Sequence, residues 1–181
     1  MVVLPYDEAG SGESVLLIHA GVADRRTWRE HLPGLADAGF RAVAVHLPGF
    51  GEAAVEDGAQ APWEDVLLTL SELGIDRAAL VGNSFGAAVA LRVAAVAPAV
   101  ACGLVLISAP PLEMNPSPAL QSAWDAENAA LERGDIDAAV AAVVEAWTQP
   151  QAPQELRELV ASMHQTATAQ LSARHDDAID R

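Results

Sequence analysis

A Gly-x-Ser-x-Gly pattern at residues 82–86 constrains the fold of this chain more than any other stretch. It follows the apolar run 78–81 and precedes an alanine-rich segment, residues 87–97. Strand, sharp turn and helix in that order form a nucleophile elbow, in which only small residues fit around the serine. The turn also leaves backbone N–H groups at a helix N-terminus, where negative charge is stabilised. We therefore interpret Ser84 as a candidate nucleophile.

Apolar runs alternate with segments of helical spacing over the first 111 residues, and continuous apolar runs are typical of strands buried on both faces. The buried strands are predicted at residues 14–18, 41–45, 78–81 and 103–107. Helices are predicted at residues 28–38 (with a break near Pro33), 63–73 and 85–97, and a short strand at residues 2–6. This alternation predicts an α/β fold, a parallel sheet whose site lies at the carboxyl ends of its strands.

From residue 112 the pattern changes to helices alone. Ser117 and Pro118 form a helix start, Asp135 caps a second helix, and Pro153 begins a third that runs to about His175. The predicted division is therefore an α/β core at residues 1–111 and a helical segment at residues 112–181.

Composition limits the partners of this chain. Twenty-five acidic against ten basic residues give a net charge of −15, and such a surface repels nucleic acid and anionic membranes. The single cysteine, Cys102, excludes an internal disulfide and is expected to be buried. No signal peptide or membrane-spanning stretch is recognised, so a cytoplasmic location is expected.

Three loops at predicted strand ends resemble motifs of the α/β-hydrolase superfamily. Residues 19–21, His-Ala-Gly, resemble its His-Gly-x oxyanion loop, and residues 47–51 resemble its Asp-x-Pro-Gly-x-Gly loop, with His46 in place of aspartate. Residues 82–86 match its nucleophile elbow. The resemblance extends over residues 6–111, and it implies that the backbone N–H groups of Gly21 and Phe85 form the oxyanion hole. The segment from residue 112 onward is similar to the helical cap of the family.

One departure concerns the partners of the serine. Members of the family carry the acid and the histidine after two further strands beyond the cap, whereas this chain ends at Arg181, so a C-terminally truncated α/β-hydrolase core is expected. The strand after the elbow is followed by no carboxylate before Glu113. The histidines present are each more typical of structural or exposed positions than of a catalytic base: His19, His31, His46, His164 and His175.

The resemblance implies a serine hydrolase that acts on a small ester or a related acyl substrate through Ser84. Two alternatives stay open: a non-catalytic remnant or binding module, and a helical interaction module at residues 112–181. No phosphate-binding loop or metal-ligand spacing is present, so no cofactor and no metal are expected. If strands are missing, the apolar residues Leu104 to Ile107 form an open sheet edge, and the isolated chain is expected either to self-associate through this edge or to be a fragment of a longer protein.

Overall fold

The computed structural model of the chain describes residues 1–55, 61–111 and 115–179, with side chains described as far as residue 168. The described residues form two compact units, one within residues 1–111 and one within residues 112–181.

The first unit is built on a five-stranded sheet in the order β1-β3-β2-β4-β5. Its strands are β1 (Tyr6–Ala9), β2 (Glu13–Ile18), β3 (Phe40–Val45), β4 (Ala78–Asn83) and β5 (Ala101–Ile107). β1 pairs antiparallel with β3, and the other neighbours are parallel. Because β2 lies between β3 and β4, the turn after β2 lies between the loops that follow those two strands. The predicted parallel α/β sheet is confirmed.

Helices cover both faces of this sheet, which explains the uninterrupted apolar runs of its strands. The helices are α1 (His31–Asp37), α2 (Pro62–Glu72) and α3 (Phe85–Val96), with a short 3-10 helix at Arg25–Trp28. Leu16 and Ile18 of β2 pack on the face covered by α2 and α3. Val15 and Leu17 face the opposite way, toward Trp28 and α1.

The predicted strand at residues 2–6 is wrong, since the first strand begins at Tyr6. The backbone N–H groups of Val2 and Leu4, which precede this strand, are bound by side chains of α2. The Val2 N–H donates to Asp65 Oδ1 at 2.7 Å, and the Leu4 N–H donates to Thr69 Oγ1 at 2.9 Å.

The predicted helix at residues 28–38 begins later, at His31, and runs through Pro33 without a break. Trp28 belongs instead to the preceding 3-10 helix. Asp24 caps that helix, because its side chain accepts a hydrogen bond from the Arg26 N–H. Pro33 is tolerated because it lies in the first turn of α1, where its missing N–H leaves no helical carbonyl without a partner.

The second unit contains α4 (Pro118–Glu132), α5 (Ile136–Trp147) and α6 (Gln154–Ile179). Ser117 and Asp135 cap α4 and α5 through their side chains. α5 contacts both α4 and α6. No helix in the described ranges is long and apolar enough to cross a bilayer.

Candidate active site

Ser84 lies at the junction of β4 and α3 with a backbone conformation that few residues adopt. Its φ is 52° and its ψ is −114°, and a non-glycine residue at such angles is held there by its surroundings. Its N–H donates to the Ile107 carbonyl of the neighbouring strand at 2.8 Å, and its own carbonyl accepts from the Ala87 N–H at 2.9 Å. Ser84 is therefore the point at which the chain passes from sheet to helix.

The two glycines of the pattern allow α3 to approach the sheet. A Cβ on Gly82 would collide with the carbonyl oxygen of Gly86, and a Cβ on Gly86 would collide with the carbonyl oxygens of Ile18 and His19. Any side chain at either position would push the first turn of α3 away from β2 and β4. The sharp turn at Ser84 therefore depends on both glycines.

Gly21 and Phe85, the two predicted oxyanion donors, lie side by side. A Cβ placed on Gly21 would be 3.6 Å from the Cβ of Phe85. Phe85 is the first residue of α3, so its N–H belongs to the turn whose amides have no helical acceptor. Two backbone segments that are more than 60 residues apart in sequence thus meet beside Ser84.

His19 is a fully buried residue whose ring is already engaged at both nitrogens. Nδ1 lies 2.8 Å from the Ala20 carbonyl, to which it donates, and Nε2 accepts from the Leu47 N–H at 3.0 Å. Burial lowers the pKa of His19 to about 4, with a smaller lowering from His46. This ring orients the turn before Gly21 and has no free lone pair for the proton of Ser84.

The buried His46 belongs to a polar network that extends to the surface and that the sequence did not reveal. Arg25 Nη1 donates to His46 Nδ1 at 2.8 Å and to Glu52 Oε2 at 2.6 Å, and Arg25 Nε donates to Asp7 Oδ2 at 2.8 Å. On the other side of the ring, Nε2 lies 3.6 Å from Oδ1 of the fully buried Asp24. The charged run at residues 24–26 was the only local signal for this network.

Electrostatics stabilise the charged forms within this network. Burial would raise the pKa of Asp24, but the nearby His46 ring and the hydrogen bonds from Arg26 outweigh it and hold that pKa far below its usual range. Burial likewise opposes ionisation of Glu52, yet the hydrogen bond from Arg25 lowers its pKa. Both carboxylates are therefore charged at neutral pH.

The other histidines lie elsewhere. His31 is exposed and packs edge-on against Trp28 at a ring distance of 5.4 Å. His164 is buried in the helical unit, with Nε2 3.0 Å from Glu127 Oε1. The side chain of His175 and the whole of Glu113 lie outside the part of the chain that the structure describes. Among the described side chains, no histidine is hydrogen-bonded to Ser84, and no cluster of three His, Cys, Asp or Glu residues forms a metal site.

Comparison with known proteins identifies the family. A family model described as the alpha/beta hydrolase family matches residues 15–180. The chain is 30% identical over 121 residues to bifunctional epoxide hydrolase 2 of Sus scrofa and 37% identical over 106 residues to esterase Rv0045c of Mycobacterium tuberculosis. This chain therefore belongs to the α/β-hydrolase family.

A solved structure shares the same fold. The crystal structure of a hydrolase from Pseudomonas aeruginosa PA01 superposes on 91% of this chain with a TM-score of 0.74 at 24% identity. The chain spans less than two thirds of the length of each of these proteins. The match to the epoxide hydrolase covers 64% of this chain and 22% of that protein. The match to the esterase covers 56% of this chain and 35% of that protein, and the solved hydrolase is covered to 65%.

Proposed function

We propose that this chain carries the nucleophile and the oxyanion hole of a serine hydrolase that acts on a small ester or a related acyl substrate. Ser84 Oγ attacks the acyl carbon, and the N–H groups of Gly21 and Phe85 bind the oxyanion that forms. The observation that carries the proposal is the strained backbone of Ser84 at the β4–α3 junction, with Gly21 and Phe85 adjacent to each other. The names of the matched relatives, an esterase and an epoxide hydrolase, support hydrolysis as the reaction class.

The oxyanion donors need no particular side chain. Each donor is a backbone amide, so alanine at position 20 and phenylalanine at position 85 leave the hole intact. In other enzymes, one such donor contributes about 3–4 kcal/mol to transition-state stabilisation. The proposal also requires a general base and an acid, which none of the described histidines supplies to Ser84.

Ser108 offers a matched internal control for the reactivity of Ser84. It too has a positive φ, 49°, and it follows Ile107, the register partner of Asn83 at the ends of the adjacent strands β5 and β4. Ser108 is followed by Ala109, Pro110 and Pro111 rather than by a helix, and proline has no N–H to donate to an oxyanion. Backbone strain alone would make both serines reactive, whereas the oxyanion hole favours only Ser84.

The test is covalent labelling by a fluorophosphonate probe, with imidazole in the buffer as an external base and the modified residue mapped by mass spectrometry. We expect an adduct on Ser84 in the wild type and in Ser108→Ala, no adduct in Ser84→Ala, and faster labelling as imidazole is added. A folded chain that gives no Ser84 adduct under these conditions would contradict the proposal and favour the alternative, a non-catalytic remnant or binding module of the family.

A further inference from the structure

The turn that carries Gly21 is held near both of its ends by the loop that follows β3. At its start, His19 Nε2 accepts from the Leu47 N–H at 3.0 Å. At its far end, Asp24 Oδ1 lies 3.6 Å from His46 Nε2. Two consecutive residues of one loop therefore contact the turn on either side of Gly21.

His46 is the titratable member of this pair of contacts. Its Nδ1 accepts from Arg25 Nη1 at 2.8 Å and from the Glu52 N–H at 3.3 Å. A guanidinium can only donate, so the neutral ring carries its proton on Nε2, which points to the side of Asp24. Nε2 is buried and makes no hydrogen bond to the described residues, because the approach to Asp24 stops at 3.6 Å.

Charged groups of both signs face His46. The carboxylates of Asp24 and Glu52 lie beside its two ring nitrogens, with Glu52 Oε2 3.0 Å from Nδ1, and Asp7 adds negative charge behind Arg25. Arg25 supplies positive charge at Nδ1, and the buried ring has His19 at a ring distance of 6.2 Å. Arg26, bound to Asp24, adds a further positive charge from the 3-10 helix.

The ring has little room on its remaining side. It lies against Gly51, where a Cβ would collide with the imidazole atoms. The φ of Gly51 is +54°, in the left-handed region that favours glycine. A displacement of the His46 ring is therefore directed toward Arg25 or toward Asp24, the residue at the far end of the turn that carries Gly21.

We propose that His46 is a positioning residue whose protonation state sets the position of the Gly21 N–H. This inference rests on the proposed function, in which Gly21 is an oxyanion donor. The neutral ring accepts from Arg25 and holds the network in the geometry described above. Protonation places an N–H on Nδ1, which breaks the hydrogen bond from Arg25 and can donate instead to Glu52 Oε2, 3.0 Å away. The positive ring then also attracts Asp24 across the 3.6 Å gap from Nε2, at the far end of the turn that carries Gly21.

The first test is independent of catalysis. The ring resonances of His46 and the backbone amide of Gly21 are followed by NMR in the full chain from pH 5 to pH 8.5. We expect the Gly21 amide shift to change with the same midpoint as the His46 ring, and this change to disappear in His46→Asn, which keeps an acceptor for Arg25 but cannot be protonated. His31→Asn, at an exposed site outside the network, is the matched control and should leave the change intact.

A Gly21 amide that stays constant while His46 titrates, a Gly21 transition that persists in His46→Asn, or a His46 ring that does not titrate in this range would each overturn the inference. The wild-type titration decides the point even if His46→Asn does not fold.

The second test uses Ser84 labelling by the fluorophosphonate probe at fixed imidazole-base concentration. The ratio of the wild-type rate to the His46→Asn rate should fall by about tenfold for each pH unit below the His46 midpoint. If the Gly21 amide shift follows the His46 ring but the ratio of labelling rates does not change with pH, the proposed role of His46 in oxyanion binding is contradicted. Absence of labelling in both proteins would instead remove the proposed function, while the NMR result would still stand or fall on its own.

Discussion

Ser84 and Ser108 are the non-glycine residues of positive φ in the described chain, and they lie at the ends of adjacent parallel strands. Only Ser84 is followed by a helix, so only there does a strained serine face unpaired backbone amides. The reactive character proposed for Ser84 thus comes from the residues that follow it. His19 shows the same dependence on surroundings, because its ring donates to the Ala20 carbonyl of its own turn and accepts from the Leu47 N–H of the loop after β3.

At the residue scale we predict that His19 makes the chain sensitive to acid. Its pKa is about 4 in the folded chain and 6.5 as a free side chain. Because the folded-state pKa is the lower of the two, the unfolded chain takes up the proton at a higher pH than the folded chain does. The contribution of His19 to the free energy of unfolding is therefore complete above pH 6.5 and is lost as the pH falls toward 4. The shift corresponds to roughly 3 kcal/mol of unfolding free energy across that window.

Urea unfolding at half-unit steps from pH 7 to pH 4 measures this loss. His19→Asn should be less stable at pH 7 but should have a flatter pH profile, whereas His31→Asn should keep the wild-type slope. A His19 ring that titrates by NMR near 6.5 in the folded protein would show the prediction to be wrong.

At the scale of elements, the elbow depends on how closely α3 packs against β2. α3 contacts β2, β4 and β5, and Gly86 lies directly on the backbone of β2 at Ile18 and His19. Alanine-rich sequence on α3 serves the same close approach, with Ala87 and Ala90 fully buried. The position of the nucleophile is therefore set by helix–sheet distance.

We predict that Gly86→Ala destabilises the chain although alanine favours helices. The added methyl group meets two backbone carbonyl oxygens that cannot rotate away, and such overpacking costs about 1–3 kcal/mol. Gly34→Ala is the matched control, since Gly34 is also helical and has no atom within 4 Å of an added Cβ. That change should stabilise by about 1 kcal/mol through helix propensity.

Chemical denaturation of both variants gives the comparison. Equal stability of Gly86→Ala and the wild type would mean that α3 moves away from the sheet freely, and would contradict the argument for a rigid elbow. Reduced fluorophosphonate labelling of Ser84 in Gly86→Ala is expected to accompany the loss of stability.

At the scale of the whole molecule, the most unusual feature is the open side of β5. This strand pairs only with β4 among the described strands, and four consecutive apolar residues of it are 39–50% exposed: Leu104, Val105, Leu106 and Ile107. The strand contains no charge and no proline, the usual protections of an edge. Cys102, expected to be buried, is exposed because it lies on this edge strand.

We propose that two copies of this chain associate through β5, and we predict a concentration-dependent dimer. A second copy can pair with the edge antiparallel to itself, which satisfies two-fold symmetry and buries the same uncharged residues on both sides. Sedimentation velocity should show the wild type associating and Val105→Lys remaining monomeric, because a lysine on the edge opposes strand pairing.

Leu91→Lys is the matched control for this prediction. Leu91 is 43% exposed, close to the exposure of Val105, but it lies on α3. The same change of charge there should leave the dimer intact. A wild type that is monomeric at every concentration, or equal effects of the two lysines, would contradict pairing through β5.

The sequence by itself determined the elbow, the alternation of strands and helices, and the family, because these depend on local patterns: glycines around a serine, apolar periodicity and loops at strand ends. Only the tertiary structure decided which loops meet. The family resemblance had already paired Gly21 with Phe85, but the contacts of His19 and Asp24 with residues 46 and 47 appear only in the structure, where β2 is adjacent to β3. Such contacts depend on strand order, which local sequence does not encode.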